Sequence, residues 1–211
     1  MLNTTNGIFI NMQHEIFKGN VLDIGLDSYG IIYSIYKQYN DEAAIDYIDG
    51  AEEKSFIEKE SYDSCVMFFS LNNLWSKFNK KNLIKDIYSF LKEDGEINIW
   101  DIDKGYIKTI NTKIKVLLPE NKTKEINITD FNVLKDCSLS SVKKLLNEYF
   151  EIIDLKCTDN IYYIKGRKRS LIDVKKGSKT NESSVSSNKL KIRTQQFSSK
   201  VLKRIYKGSE L

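Results

Sequence analysis

Five residues, Val21-Leu22-Asp23-Ile24-Gly25, constrain this chain more than any other stretch. A short apolar run of this kind forms a strand buried on both faces, Gly25 ends it, and from Ser28 onward apolar residues recur at helical spacing. A strand that turns into a helix through the loop Gly25 to Gly30 leaves backbone N–H groups at the helix start without intrahelical partners, so the turn can receive a ligand. Ile31, Ile32, Ile35, Tyr36 and Tyr39 form the apolar stripe of that helix, and Ala43 to Ile48 fits a parallel neighbour reached by a right-handed crossover.

Further along, Tyr62 to Phe69 is another buried-strand run, and Ser70, Asn72 and Asn73 follow at its carboxyl end, where open parallel sheets bind ligands. Asn72 or Asn73 serves equally well as the cap of a helix that begins near Lys80 and carries Leu83, Ile84, Ile87, Tyr88, Phe90 and Leu91. Glu93-Asp94-Gly95 stops it, with Gly95 as the expected left-handed residue. Ile97, Ile99, Trp100 and Ile102 make the next strand, and Asp101 and Asp103 at its end share the edge with Ser70. Residues 104 to 136 hold the single proline, Pro119, between two alternating stretches, an inserted hairpin or lid turning at Glu120-Asn121-Lys122. Ser138 or Ser140 then caps a helix through Tyr149, and Phe150 to Lys156 with Asn160 to Lys168 closes the sheet as an antiparallel pair.

Val21-Leu22-Asp23-Ile24-Gly25 resembles motif I of the class I S-adenosylmethionine-dependent methyltransferases, which typically reads V-L-D-I-G-C-G-x-G. Tyr62 to Phe69 is similar to that family's fourth strand, and Leu91-Lys92-Glu93-Asp94-Gly95 to its L-K-P-G-G turn before the fifth. Over residues 14 to 168 the resemblance implies an α/β fold, a three-layer Rossmann-like sheet, mostly parallel with an antiparallel C-terminal strand. The match departs from the family at Asp27, which stands where the second glycine belongs, and at the bulky Leu26 and Tyr29. It implies cofactor contacts at Asp23, Gly25, Leu26, Asp27, Gly30, Phe69 and Ser70, and an acid on the ribose hydroxyls after the second strand. Asp46, 23 residues after Asp23, is the first choice for that acid. Asp49-Gly50-Ala51 also resembles the segment after the family's third strand, and too few residues separate Asp49 from Asp63 for the usual helix, strand and helix. The sheet is therefore expected to be shorter by about one βα unit.

Charge separates the nucleotides that such a turn could hold. Asp27 would face a dinucleotide's pyrophosphate, a repulsion on the order of 1 to 4 kcal/mol at about 4 Å, and a Walker-type loop lacks its lysine here. S-adenosylmethionine carries no phosphate and has a cationic amine and sulfonium, so acids at Asp23, Asp27 and Asp46 suit it. Methyl transfer mostly needs alignment of an acceptor nucleophile, so the sequence assigns neither a catalytic residue nor the acceptor. Three widely spaced cysteines and one histidine, His14, supply no zinc pattern and no disulfide framework, and Cys65 is expected in the core.

Residues 165 to 211 hold 14 Lys and Arg against 3 acids, a surplus of +11, leaving −7 on residues 1 to 164. We therefore expect an N-terminal extension over 1–13, with Ile8, Phe9, Ile10 and Met12 on the body or in a short helix, and an α/β domain over 14–169. A basic, largely disordered tail is expected over 170–211, ending in an amphipathic helix around Val201, Leu202, Ile205 and Tyr206. The N-terminus lacks the pattern of a secretory signal and no run spans a bilayer, which suggests a cytoplasmic protein. Two functions follow: a methyltransferase of unknown acceptor, or a methyltransferase-like binding module whose tail engages nucleic acid, an anionic membrane or a protein partner.

Overall fold

The computed structural model describes residues 8–17, 19–25, 30–39, 44–48, 57–171, 174 and 203–207, with backbone alone for 44–48 and 203–207. β2 (Val21–Ile24) is buried at all four positions and passes into α1 (Ile31–Tyr39), as its apolar run predicts. β3 (Ala44–Ile48) follows, then β4 (Tyr62–Phe68), α2 (Lys77–Phe90) and β5 (Leu91–Ile102). α3 (Leu139–Leu146) leads into the hairpin of β8 (Phe150–Thr158) and β9 (Ile161–Lys168).

A seven-stranded sheet runs β3-β10-β2-β4-β5-β9-β8, with β2, β4 and β5 mutually parallel and β9 antiparallel to β5. Its second member, β10 (Lys203–Lys207), lies antiparallel between β2 and β3. This corrects two expectations. Residues 203–207 form a strand and not part of an amphipathic helix, and β3 meets β2 only through β10. The physical reason is long-range: β2 and β3 each offer an unpaired ladder, and a strand between them satisfies both sets of backbone groups, which an isolated helix at that position would not.

Two faces divide the core. α2 and α3 cover Leu22, Ile24, Cys65, Met67, Ile97 and Ile99, while α1 and a second sheet cover Val21, Val66, Phe68, Trp100 and Ile102. That second sheet is β1 (Ile8–Asn11) parallel to β6 (Ile110–Leu117), which pairs antiparallel with β7 (Thr123–Asp130). The hairpin reading of 104–136 holds, but the lid reading does not, because Ile114, Val116, Ile126 and Ile128 are buried against the large sheet. Each such side chain contributes on the order of 1.5–3 kcal/mol, so the hairpin is a third layer of the body. β1 likewise is a strand of that layer, with Met12 fully buried just after it.

Two local expectations change. Ser76 caps α2, its hydroxyl accepting from Asn79 N at 3.1 Å, so neither Asn72 nor Asn73 does. After α2 it is Asp94 that adopts the left-handed backbone (φ 59°), whereas a Cβ on Gly95 would come 2.9 Å from Lys92 O, so Gly95 serves close packing. Among the described residues no helix is long and apolar enough to cross a membrane.

Candidate functional site

The chain leaves β2 toward β3 on one side and returns to β4 on the other, so the strand order reverses between β2 and β4. A crevice outside the carboxyl ends of strands at such a reversal is where open α/β sheets bind ligands. Gly25 and Ser70 meet there. The Ser70 hydroxyl, 6% exposed, reaches the carbonyls of Ile24 and Phe68, the latter at 3.3 Å, and ties the ends of β2 and β4 together. A Cβ on Gly25 would stand 2.8 Å from Ser70 Oγ, so the turn admits only glycine as long as Ser70 keeps its place.

Phe69, which directly follows β4, holds a left-handed backbone (φ 54°) while buried against Phe68 with ring centroids 4.7 Å apart. A bulky residue in that conformation costs on the order of 1–3 kcal/mol and is held here by its N–H bond to Trp100 O at 2.8 Å. Gly30 opens α1 with φ 65°, and Lys124 Nζ of β7 lies 3.5 Å from where its Cβ would be. Asp23 is buried within β2, opposite Val66 and, in backbone register, Arg204.

Leu26, Asp27 and Asp49 lie outside the described residues. Asp46 is described in backbone only and lies mid-strand rather than at a strand end: it pairs with Ile205, which pairs with Leu22. Ile48, the last residue of β3, is level with Ile24 through Lys203.

On the β4 and β5 side the edge carries Asp101 and Asp103, as the sequence placed them, together with buried charges it did not mark. Asp101, fully buried, accepts from Asn72 N at 3.0 Å and Ile102 N at 2.8 Å. Burial pushes its carboxyl up to about 6, opposed by those N–H groups and by the charge of Lys80. Asp103 accepts from Leu139 N at 2.9 Å and so caps α3. Lys135 reaches Asn72 O and pairs with Asp130 at 2.7 Å, while Lys104 bonds Asn132 O at 2.6 Å and approaches Asp130 at 3.3 Å. Burial raises Asp130, but Lys135, the N–H of Asn132 and Lys104 outweigh it and hold the carboxyl below its usual range. Cys137 lies 3.6 Å from the Tyr162 hydroxyl, and burial pushes its thiol up to about 12.

Of the buried lysines only Lys80 left a trace in the sequence. It occupies the apolar phase of α2, four before Ile84 and seven before Ile87. Lys104 and Lys135 sit in irregular segments where no periodicity marks a buried position. Among the described residues no three His, Cys, Asp or Glu side chains group to hold a metal.

No protein-family model and no curated protein matches the chain. Solved structures resemble it over about half its length. An S-adenosylmethionine dependent methyltransferase from Mesorhizobium loti is 8% identical at a TM-score of 0.38, over 53% of this chain and 64% of that one. The PH0226 protein from Pyrococcus horikoshii OT3 is 14% identical at a TM-score of 0.36, over 53% and 54%. The glycopeptide N-methyltransferase MtfA complexed with (S)-adenosyl-L-homocysteine is 11% identical at 0.33, over 51% and 55%. This chain thus matches less than two thirds of those structures' lengths, and likenesses this distant carry no functional weight.

Proposed function

We propose that the chain is an S-adenosylmethionine-dependent methyltransferase whose cofactor lies across the carboxyl ends of β2 and β4. The observation that carries this is the tight junction of Gly25 with Ser70 at the strand-order reversal, following a strand whose sequence, Val21-Leu22-Asp23-Ile24, resembles the family's motif I. The strand order β2-β4-β5-β9-β8, with an antiparallel β9, supports it, since the resemblance implies that arrangement. Asp23, Gly25, Leu26, Asp27, Gly30, Phe69 and Ser70 surround the cofactor in this reading, and Lys124 beside Gly30 suits the carboxylate of its methionine portion. An acid of the β3 region, Asp46 or Asp49, takes the ribose hydroxyls in this reading, although two strand spacings, roughly 10 Å, separate β3 from β2. S-adenosylmethionine supplies a methyl group on a sulfonium, and the chain's part is to hold an acceptor in line with it.

Calorimetric titration with the demethylated cofactor tests the proposal. Saturable binding supports it, and no heat at millimolar ligand refutes it.

The second function, a non-catalytic body that works through its basic tail, is favoured by one observation. The chain returns to the body as β10, whose own residues Lys203, Arg204 and Lys207 bring positive charge to the large sheet. Replacing Lys175, Lys176, Lys179, Lys189, Lys191, Arg193 and Lys200 by glutamine should abolish association with RNA or anionic vesicles. Unchanged retention of both ligands would reject it.

A further inference from the structure

Large apolar side chains that the fold leaves in water gather at one place. Trp75 (68% exposed), Tyr106 (61%), Ile107 (87%) and Leu134 (72%) come from three segments, 74–81, 104–109 and 131–135, that follow β4, β5 and β7. A backbone bond from Ile107 N to Val133 O at 2.8 Å joins the second segment to the third, and Trp75, Lys77, Tyr106 and Leu134 line one cavity, so the three segments form one surface. Single apolar side chains on a surface are ordinary, but a contiguous patch on the order of 500 Å² is of the size that marks an interaction site. Ile107 adds a second sign. Its backbone is left-handed (φ 64°), a costly conformation for a β-branched residue, and the side chain packs on almost nothing in return.

Charge says what covers the patch. The three segments hold six lysines and no Asp or Glu, within residues 1 to 164 whose balance is −7. Lys80, Lys104 and Lys135 are buried and answered from inside: Asp101 and Asp136 act on Lys80 by charge, and Asp130 pairs with Lys104 and Lys135. Lys81 pairs with Glu148 at 2.7 Å. Lys77 and Lys108 remain, both exposed and in no ion pair among the described residues. Apolar tips fringed by two unpaired ammonium groups complement an anionic surface. A second copy does not fit, because pairing patch to patch would bring these lysines only against lysines. A docked helix does not fit either, since it needs a groove whose walls shield one another, whereas these tips are 61–87% exposed.

We propose that this three-segment face seats the protein on an anionic lipid bilayer, with Trp75, Tyr106, Ile107 and Leu134 entering the headgroup boundary and Lys77 and Lys108 against lipid phosphate. The seat is independent of the methyltransferase reading and of the basic tail. Tryptophan and tyrosine favour that boundary because each has an apolar body and a polar end, and tips that enter a fluid layer need no shape-matched partner.

Vesicles of equal parts phosphatidylcholine and phosphatidylglycerol, with and without brominated acyl chains, test this on the full chain. Trp100 is buried, so bromine quenching of tryptophan fluorescence reports Trp75 entering the bilayer. We expect quenching on the mixed vesicles and several-fold weaker partition onto pure phosphatidylcholine. Ile107→Asn with Leu134→Asn should lower partition at least tenfold. Ile107→Asn alone introduces a residue that tolerates left-handed backbone, so it should raise the urea midpoint while weakening vesicle binding, opposite signs that a damaged fold would not give. Glutamine at the basic residues of 175–200 should leave quenching of the bound protein in place, whereas attachment through the tail alone predicts its loss. Absent quenching, equal partition onto both vesicles, partition unchanged by the double asparagine variant, or a dimer that Leu134→Asn dissolves would each overturn the proposal.

Discussion

Replacing Gly25 by alanine should destabilise the protein only while Ser70 is present. The added methyl would lie 2.8 Å from Ser70 Oγ, so the hydroxyl must swing away from the carbonyls of Ile24 and Phe68. Ser70 is 6% exposed, and a hydroxyl left buried and unpaired costs about 1–3 kcal/mol. Against this, Gly25 is not among the residues with positive φ, so alanine fits its backbone and gains about 0.4–1 kcal/mol by restricting the unfolded chain. The net loss for Gly25→Ala is about 1–2 kcal/mol. Ser70→Ala alone removes the tie between strands and loses about 1 kcal/mol. In the Ser70→Ala background the nearest remaining atoms, Phe68 O and Ser70 Cβ, are 3.9 Å from the new methyl, so the same glycine substitution turns neutral or slightly stabilising.

Urea unfolding of the four proteins measures this cycle, and a coupling of about 2 kcal/mol at constant m-value is the expected result. A glycine substitution equally harmful in both backgrounds would refute the close-approach explanation. The folded double variant then tests function separately: a methyl in the turn should weaken the demethylated cofactor at least tenfold, by steric exclusion rather than by unfolding.

Asp101, with its carboxyl at about 6 when folded, holds a proton that the unfolded chain releases near 4, so its stability contribution is full below pH 4 and is lost as pH rises through 6. Asp101→Asn should remove that slope, about 3 kcal/mol across the window, in the difference between wild-type and variant unfolding energies. Asp130→Ala leaves the buried Lys104 and Lys135 without their carboxylate and should cost about 3–5 kcal/mol, measured by denaturation; a loss under 1 kcal/mol would contradict the buried cluster. Thiol titration of the native protein should count one fast group, the exposed Cys157, and three in denaturant, since Cys65 and Cys137 are buried. Ile205→Pro removes a ladder donor from a strand with neighbours on both sides and should raise hydrogen exchange at Val21–Ile24, whereas a tail outside the sheet would leave exchange unchanged.

The elements that were legible in the sequence are those whose own composition decides their state. Val21–Ile24 and Tyr62–Phe68 are mostly apolar runs that read as buried strands, and two runs around Thr158-Asp159 marked the closing hairpin, whose turn lies at Asp159-Asn160. β10 was illegible because Val201, Leu202, Ile205 and Tyr206 are spaced for a helix, and the vacancy between β2 and β3 that makes a strand preferable exists only in the assembled sheet. The same holds for β1, whose partner β6 lies about a hundred residues away. Lys104, Lys135 and Asp130 form one cluster from separate segments, and lysines in a sequence look solvated until the backbone carbonyls that receive them are in place.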